Sequence, residues 1–275
     1  MKKKLPVKFI IILLCVFLFS LTPPAVYIRS LAVMSVYSYQ MKKESIMDCA
    51  GFDIHIPGGM ATGKTDWYPF VMTFVDNEGF QGYMKNENLS LTILYNFPAF
   101  SLMHGCSRLF DEASPYYNSF YGAYLVSDSS KKPFGFYSDG SIREEELVSV
   151  PEFDFYWLVL EDFGLSEEDF VFDCRITNIE QEIAFSGRED WTRIDADITV
   201  SGACHTGKEE VTSYLQYGRP AYNTATDFSP VEMKGRIYAR YFPEWNTSIF
   251  YYIMTGSEEV LEECDREILS LSQLQ

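Results

Sequence analysis

One segment of the chain has the residue types and spacing of a phosphate-binding loop. Residues 58–65 read GGMATGKT and fit G-x-x-x-x-G-K-[ST], which uses glycine amides and a lysine on phosphates and a hydroxyl on magnesium. That chemistry needs a helix that begins at Lys64 and directs its N-terminus at the phosphates. Pro69 falls in the second turn of that helix, where proline costs about 3 kcal/mol, and Pro57 interrupts the approaching strand. The context favours a glycine-rich turn, and we expect no nucleotide ligand.

The chain has three histidines, and two of them are close to cysteines in sequence. His104 is two residues before Cys106, and His205 directly follows Cys204, whereas His55 stands apart. Side chains two apart on a strand share a face and adjacent ones do not. Only His104 and Cys106 could therefore act together as a nucleophile pair or as zinc ligands. Structural roles are far commoner, so we expect no metal, no cofactor and no catalytic residue.

Acidic residues are too frequent for their spacing to identify a site. The chain has 39 Asp and Glu against 22 Lys and Arg, a formal net charge of -17. Adjacent acids such as Glu161 and Asp162 carry little information in such a chain, and the turns at Asp76 and Asp139 lack the ligand spacing of a calcium loop. A chain this acidic should repel nucleic acid. Nucleic acid is therefore not an expected partner.

Aromatic residues are the remaining chemical signal, at 16% of the chain. The densest cluster, residues 115–124, reads PYYNSFYGAY. Tyrosine is common in binding surfaces because its ring offers contact area at a low entropy cost. Tyr116, Tyr117 and Tyr121 are therefore the predicted binding residues, for a protein or a glycan partner. The competing interpretation, which we favour, is that these rings fill the core of a β-rich fold.

The N-terminal residues predict where this chemistry takes place. Four lysines, the last of them Lys8, precede an uncharged, mainly apolar stretch from Phe9 to Ile28. About 20 such residues can cross a bilayer as a helix, and flanking lysines favour a cytoplasmic N-terminus. We predict a single-pass protein of the cell membrane, with the membrane as a partner through this helix and the remaining chain outside.

Secretion after signal cleavage is the alternative. The apolar run from Phe9 to Leu21 has the length found in a cleavable signal. Pro23 and Pro24 interrupt the helix where a cleavage site needs small residues, and the nearest small-residue sites are weak. The uncleaved anchor is therefore the preferred interpretation.

Three parts are expected along the chain: the lysines and signal-anchor at 1–28, a helical stem at 29–50, and an extracytoplasmic α+β domain at 51–275. Outside the span, the cysteines are Cys49, Cys106, Cys174, Cys204 and Cys264. An exported location permits disulfides. Their odd number and the absence of any C-x-x-C spacing favour core thiols, with one structural disulfide as the alternative.

Hydrophobic periodicity predicts a largely antiparallel sheet, because many strands occur without regular βαβ alternation. Strands are predicted near 70–75, 89–97, 122–126, 134–137, 170–178, 191–200, 211–217, 236–242 and 248–254. Residues 89–97 and 191–200 alternate apolar and polar side chains, as half-buried strands do. The runs 122–126 and 134–137 flank one loop and are expected to pair.

Two helices are predicted to pack on this sheet. Ser149 and Glu152 have capping-box spacing, Gly164 can end the helix, and Trp157 is expected on its buried face. A buried strand over 155–160 is the alternative. At the C-terminus, Ser257 is a candidate cap for an amphipathic helix. The predicted apolar stripe of that helix consists of Val260, Leu261, Cys264, Ile268 and Leu271.

Together these features predict a membrane-anchored extracytoplasmic protein that serves as a non-catalytic binding or interaction module. An exported hydrolase that uses His104 with Cys106, or a carboxylate pair, is the alternative. The structure distinguishes these two hypotheses, because only the hydrolase requires a base and a nucleophile that lie together in a pocket.

Overall fold

The fold is an α+β domain built on one large antiparallel sheet, as the periodicity predicts. The computed structural model describes residues 7–58, 70–101, 106–109, 113–161, 164–202 and 228–275. The strands are β1 (Ile54–His55), β2 (Phe70–Phe74), β3 (Leu89–Asn96), β4 (Phe100–Ser101), β5 (Cys106–Ser107), β6 (Phe120–Asp128), β7 (Phe172–Phe185), β8 (Arg188–Ser201), β9 (Pro230–Phe242), β10 (Thr247–Thr255) and β11 (Gln273–Leu274).

Few helices accompany the sheet. They are α1 (Val7–Ser20), α2 (Pro23–Lys42), α3 (Ile46–Ala50), α4 (Glu78–Met84), α5 (Glu144–Phe153), a π-helix (Asp154–Leu160) and α6 (Glu258–Glu267), with short 3-10 turns at Glu167–Asp169 and Leu269–Leu271. The π-helix directly continues α5. Long π-helical runs are rare in proteins.

The main sheet consists of two meanders joined side by side. Its strand order is β2-β3-β6-β10-β9-β8-β7, and every neighbouring pair is antiparallel. The meanders meet where β6 pairs with β10. The β7–β8 hairpin closes through Ser186 and Gly187, whose φ angles of 48° and 71° suit a two-residue hairpin turn.

Both faces of the sheet are covered, which gives the domain two cores. The face that packs on α4, α5 and the π-helix is called the π face here. The face that packs on α3, α6 and the β1–β11 pair is called the terminal face. Side chains alternate between them along each strand, so Tyr124 lies in the π-face core while Ala123 lies in the terminal-face core.

Double coverage corrects the prediction that β3 is half-buried. Leu91 and Ile93 pack on the π face as expected, but Thr92 and Leu94 are also buried, on the terminal face. The hydroxyl of Thr92 accepts a hydrogen bond of 3.1 Å from the amide of Ile46 in α3. The polar–apolar alternation was misleading because a threonine can serve as the hydrogen-bond partner of a covering helix.

Helix α2 protects the edge strand β2. Met34 and Ser38 are buried against it, and the amide of Val71 donates to the Ser38 hydroxyl at 3.2 Å. The Thr73 hydroxyl donates to the carbonyl of Met41 at 3.3 Å. An edge strand that is covered in this way cannot pair with another chain. Residues 34–41 of α2 thus pack on the sheet.

The stretch from Phe9 to Ile28 is divided between two helices. Helix α1 ends at Ser20, and α2 begins at Pro23, which occupies the first helical turn where proline is tolerated. Helix α2 carries Arg29 and Lys42. Among the described helices, none combines the length and the hydrophobicity that crossing a bilayer requires.

The helix predicted over 149–164 is wrong in its start and its geometry. Helix α5 begins at Glu144, Arg143 is its N-cap residue, and Pro151 lies inside it. The π-helix then changes the angular spacing of the side chains. As a result Trp157 is 36% exposed, whereas Phe155 and Tyr156 are buried.

The pairing predicted between 122–126 and 134–137 is also wrong. Residues 122–126 belong to β6, which pairs with β3 and β10, and Phe136 forms only an isolated bridge with Ile142. The partners of β6 are distant in sequence, so periodicity could not identify them. The strand predicted at 211–217 lies outside the described residues.

The C-terminal helix is confirmed in its cap and most of its stripe. The Ser257 hydroxyl accepts from the amide of Val260 at 3.4 Å, and Val260, Leu261 and Cys264 are buried. The helix ends at Glu267, and Leu271 lies beyond it with 40% of its surface exposed.

Four cysteines are free thiols: Cys15, Cys49, Cys174 and Cys264. Burial, followed by neighbouring acids, raises the pKa of Cys264 to about 12 and that of Cys174 to about 11. Both thiols are therefore inert packing groups at neutral pH. The side chain of Cys106 and all of Cys204 lie outside the part of the chain that the structure describes.

Candidate functional site

The three predicted binding tyrosines do not form one surface. Tyr121 is fully buried in the terminal-face core, and its hydroxyl donates to the carbonyl of Pro57 at 2.8 Å. Tyr116 is half-buried and donates to Glu263 on α6 at 3.2 Å. Tyr117 is half-buried as well. Tyr121 therefore acts as a core residue, and only Tyr116 and Tyr117 present part of their surface to solvent.

The other candidate residues from the sequence lie mostly outside the described ranges. This holds for His104, His205, Cys204 and residues 59–65 of the glycine-rich segment. His55 lies in β1 and is half-buried. Within the described ranges, no three His, Cys, Asp or Glu side chains are grouped so that they could hold a metal ion.

The most unusual buried polar group is the carboxyl of Asp154. It is the first residue of the π-helix and is only 1% exposed. Its Oδ2 accepts a hydrogen bond of 2.5 Å from the Tyr124 hydroxyl. The Tyr124 ring stacks on Tyr252 at a centroid distance of 4.0 Å, and the Tyr252 hydroxyl donates to the carbonyl of Leu94 at 3.1 Å.

Two atoms near this network lack partners among the described residues. They are Oδ1 of Asp154 and the hydroxyl of Tyr95, which is itself buried. Buried polar atoms in proteins are almost always hydrogen-bonded, so each exception calls for an explanation. The charge of Asp154 acts on Tyr95, which places the two groups in one electrostatic cluster. Asp154, Tyr124, Tyr252 and Tyr95 are called the acid–tyrosine cluster below.

Within this cluster, Asp154 is the group whose pKa lies near neutral pH. Burial raises the pKa of Asp154 to about 7, although the hydrogen bond from Tyr124 acts in the opposite direction. Burial, and then the charge of Asp154, raises the pKa of Tyr124, Tyr95 and Tyr252 well above 10. The tyrosines therefore stay neutral, and Asp154 is the group that titrates. A carboxyl in such a setting can serve as a proton donor or as a pH-sensitive packing group.

Sequence reasoning missed Asp154, although a signal was available. It is the only charged residue between Phe153 and Leu160, a run of otherwise apolar and aromatic residues. A lone acid within a buried segment requires either a partner or a raised pKa. Its partner, Tyr124, comes from a strand 30 residues earlier, so the pair itself could be seen only in the fold.

The sheet and the helices of the π face leave two apolar cavities between them. One has a volume of about 20 Å³ and is lined by residues that include Tyr95, Asn118, Phe120, Phe155, Val231 and Met233. No family profile, curated protein or solved structure matches this chain. Function must therefore be argued from the site itself.

The second cavity, of about 20 Å³, lies between α5 and the second meander. Its lining includes Val148, Cys174, Ile176, Ala196, Ile198 and Gly235. The two linings meet where Ile198 on β8 pairs with Met233 on β9. Pockets that bind small molecules have volumes of about 300 to 1,000 Å³ and mainly apolar walls. At about 20 Å³ each, both cavities are far smaller than such a pocket.

Proposed function

We propose that this chain is a single-pass, membrane-anchored extracytoplasmic protein that acts as a non-catalytic binding module. The observation that carries the anchor is the surface of α1. Its large apolar side chains are each 48–60% exposed: Phe9, Ile10, Ile11, Ile12, Leu13, Leu14, Val16, Phe17, Leu18 and Phe19. Leaving one such side chain in water rather than burying it costs about 1.5 to 3 kcal/mol. A helix that is apolar on all sides needs an apolar surrounding.

The charges around this helix support an outward orientation of the domain. Helix α1 has 14 residues, or about 21 Å at 1.5 Å per residue, against about 30 Å for the hydrocarbon core of a bilayer. Leu21 and Ile28 are also exposed and extend the apolar segment into the start of α2. The four lysines at positions 2, 3, 4 and 8 lie at or before the start of α1, whereas Arg29 is the first basic residue after Ile28, and this asymmetry favours a cytoplasmic N-terminus.

The stem holds the domain close to the membrane. Met34 is the first residue of α2 recorded as buried against the sheet, six positions after Ile28, which is a rise of about 9 Å. The domain therefore lies near the lipid headgroups on a helix, not on a flexible linker. Such a position suits a ligand or a partner that comes from the membrane.

Because Tyr121 is buried, Tyr116 and Tyr117 remain as the partly exposed members of the predicted binding surface. The exported hydrolase is the second candidate, favoured by one observation, the pKa of about 7 at Asp154. Asp154 does not line either of the two cavities. Asp154 is also only 1% exposed, so a substrate in solvent would not touch this carboxyl, and binding is the better-supported proposal.

Carbonate extraction of membranes tests the anchor. The full-length chain should stay in the membrane pellet and keep its N-terminus. A variant with Leu13, Leu14 and Phe17 changed to lysine should be released, because a lysine at the centre of a span costs about 2.5 to 3.5 kcal/mol. Recovery of a soluble wild-type form that begins near Val26 or Val33 would contradict the proposal.

A further inference from the structure

We propose that the outer edge of β7 pairs with the same edge of a second copy of this chain, through residues 172–176. The two edges of the main sheet differ. Strand β2, at one edge, is covered by α2, whereas β7 is the last strand at the other edge and no described strand pairs with its outer side. An uncovered edge strand is a template for pairing with another chain. The proposed pair joins two seven-stranded sheets into one continuous sheet.

The backbone of β7 presents hydrogen-bonding groups along this edge. The amide of Ser201 on β8 donates to the carbonyl of Val171 at 2.9 Å, and the amide of Val171 donates to the Ser201 hydroxyl at 2.9 Å, so Val171 faces β8. Along an antiparallel strand, successive residues direct their N–H and C=O groups to opposite sides. Phe172, Cys174 and Ile176 therefore direct these groups away from β8, toward a second strand.

The regular part of β7 determines the register of the pair. Pairing with β8 is regular from Phe172 to Ile176, and a bulge follows directly. A bulge disrupts the ladder and bends the strand, so the segment available to a partner is five residues long. An antiparallel pair of two such segments is centred on the middle residue, Cys174. Phe172 of one copy then lies opposite Ile176 of the other, and Asp173 lies opposite Arg175.

The charges of the segment are complementary in this register. Asp173 and Arg175 are both exposed. Arg175 pairs with Asp197 on β8, which also pairs with Lys234 on β9, so charges of alternating sign cross the sheet toward β7. Asp173 forms no ion pair with any described residue. In the dimer, Asp173 of each copy meets Arg175 of the other, and opposite charges that face each other across strands stabilise the pair.

The other face of the segment is apolar. Phe172, Cys174 and Ile176 pack against the core of the π face but are only partly buried. With Phe172 of one copy opposite Ile176 of the other, more of this apolar surface is removed from water. The paired segment is short, so we expect a reversible, concentration-dependent dimer and not an obligate one.

Cysteine trapping of the full-length protein in detergent micelles tests the register. Two chains with different tags carry Asp173→Cys in one and Arg175→Cys in the other, and in both the exposed Cys15 and Cys49 are changed to serine. Opposed residues at a non-hydrogen-bonded pair lie about 4.5 Å apart between Cα atoms, which a disulfide can bridge. Oxidation by a copper–phenanthroline complex in air should link the mixed chains about tenfold more than either chain alone.

Matched mixtures show whether this linkage is specific. Each cysteine chain alone should link poorly, because identical residues lie on the diagonal of the pair, about 7 to 8 Å apart. The chain with only the two serine changes gives the background. The Asp173→Cys chain mixed with a Thr177→Cys chain is the control for register, since Thr177 is also exposed on β7 but lies on the diagonal. Absence of linkage between the Asp173→Cys and Arg175→Cys chains, or equal linkage in the two mixtures, would overturn the proposal.

Reversal of one charge tests the complementarity without thiol chemistry. Asp173→Arg places two arginines opposite each other and should weaken the dimer by about tenfold, as measured by sedimentation equilibrium in micelles. Mixing this chain with an Arg175→Asp chain should restore the dimer, because each acid again faces an arginine. Glu182→Arg makes the same charge change at an exposed residue of β7 beyond the paired segment, and this control should sediment like the wild type.

Two results of the sedimentation experiment would overturn the proposal. One is a wild-type chain that stays monomeric at every concentration. The other is a dimer that Asp173→Arg weakens no more than Glu182→Arg does, since the contact between the two copies would then lie elsewhere on the chain.

Discussion

Asp154→Asn should remove most of the pH dependence of unfolding that the wild-type domain shows between pH 4 and pH 8. The carboxyl is buried, and its pKa rises from 3.8 to about 7 on folding. An acid with a raised pKa stabilises the fold below its unfolded pKa and loses that contribution as the pH rises through its folded pKa. The wild type should thus be most stable near pH 4 and reach a lower plateau above about pH 7.

The free energy of unfolding of the wild type should differ by on the order of 4 kcal/mol between pH 4 and the plateau above pH 7, since each pKa unit corresponds to about 1.36 kcal/mol. The asparagine carries no charge at any pH and can still accept from Tyr124, so its profile should be nearly flat. Urea unfolding in detergent micelles, at intervals from pH 4 to pH 8.5, measures both profiles. A variant that keeps the wild-type slope would show that Asp154 is not the titrating group.

Tyr124→Phe provides the matched control for this prediction. The hydrogen bond from Tyr124 lowers the pKa of Asp154 and so opposes the effect of burial. Its removal should raise the pKa further, and the loss of stability should move to higher pH. A shift to lower pH would contradict the assigned role of the hydroxyl.

Arg236→Met should lower the free energy of unfolding by about 3 to 5 kcal/mol, the range found when one partner of a buried ionic network is removed. The guanidinium is 6% exposed and donates to Asp195 at 2.6 Å, Glu262 at 2.7 Å and Asp265 at 2.7 Å. Burial lowers the pKa of Arg236, but the three hydrogen bonds outweigh it and the net shift is upward. Without the arginine, Glu262 and Asp265 would lose the cation between them, and Asp195 would keep only Arg193, at 3.3 Å.

The effect should be concentrated at α6, because Glu262 and Asp265 lie on that helix. Cys264 is on the same helix and is fully buried, so its reaction rate with a thiol reagent reports whether α6 has loosened. Arg175→Met is the control, since Arg175 is 76% exposed and pairs with Asp197. An exposed pair contributes about 0 to 1 kcal/mol. Equal losses of unfolding free energy in Arg236→Met and Arg175→Met would contradict the role assigned to Arg236.

The fold class could be predicted because strand periodicity is local. The alternation of Ile194 and Ile198 with Asp195 and Asp197 placed β8 correctly, and Ser257 marked the start of α6. The ion pairs between charged residues of β8 and β9 could not be predicted from the sequence. Asp195 meets Arg236 only because these strands lie side by side, and adjacency of distant strands leaves no periodic signal.

The site was harder to predict, for two physical reasons. The π-helix replaces the helical spacing from which the buried face of residues 149–164 was predicted, so Trp157 was expected on that face but is 36% exposed. Tyrosine is also an ambiguous signal, since the same ring suits a surface or a core. Tyr121 was proposed for binding, but its hydroxyl satisfies a buried carbonyl.

The position of α1 in a membrane is central to the proposed function, and the cysteines allow a direct measurement of it. Cys15 lies on α1 and Cys49 lies on α3, and both are exposed in the protein alone. Two variants of the full-length chain, each keeping one of these cysteines with the others changed to serine, are treated with a membrane-impermeant maleimide in intact cells. We expect Cys49 to react and Cys15 to react only after detergent is added. Equal reaction of Cys15 and Cys49 in intact cells, or protection of Cys49, would contradict an anchored chain with its domain outside.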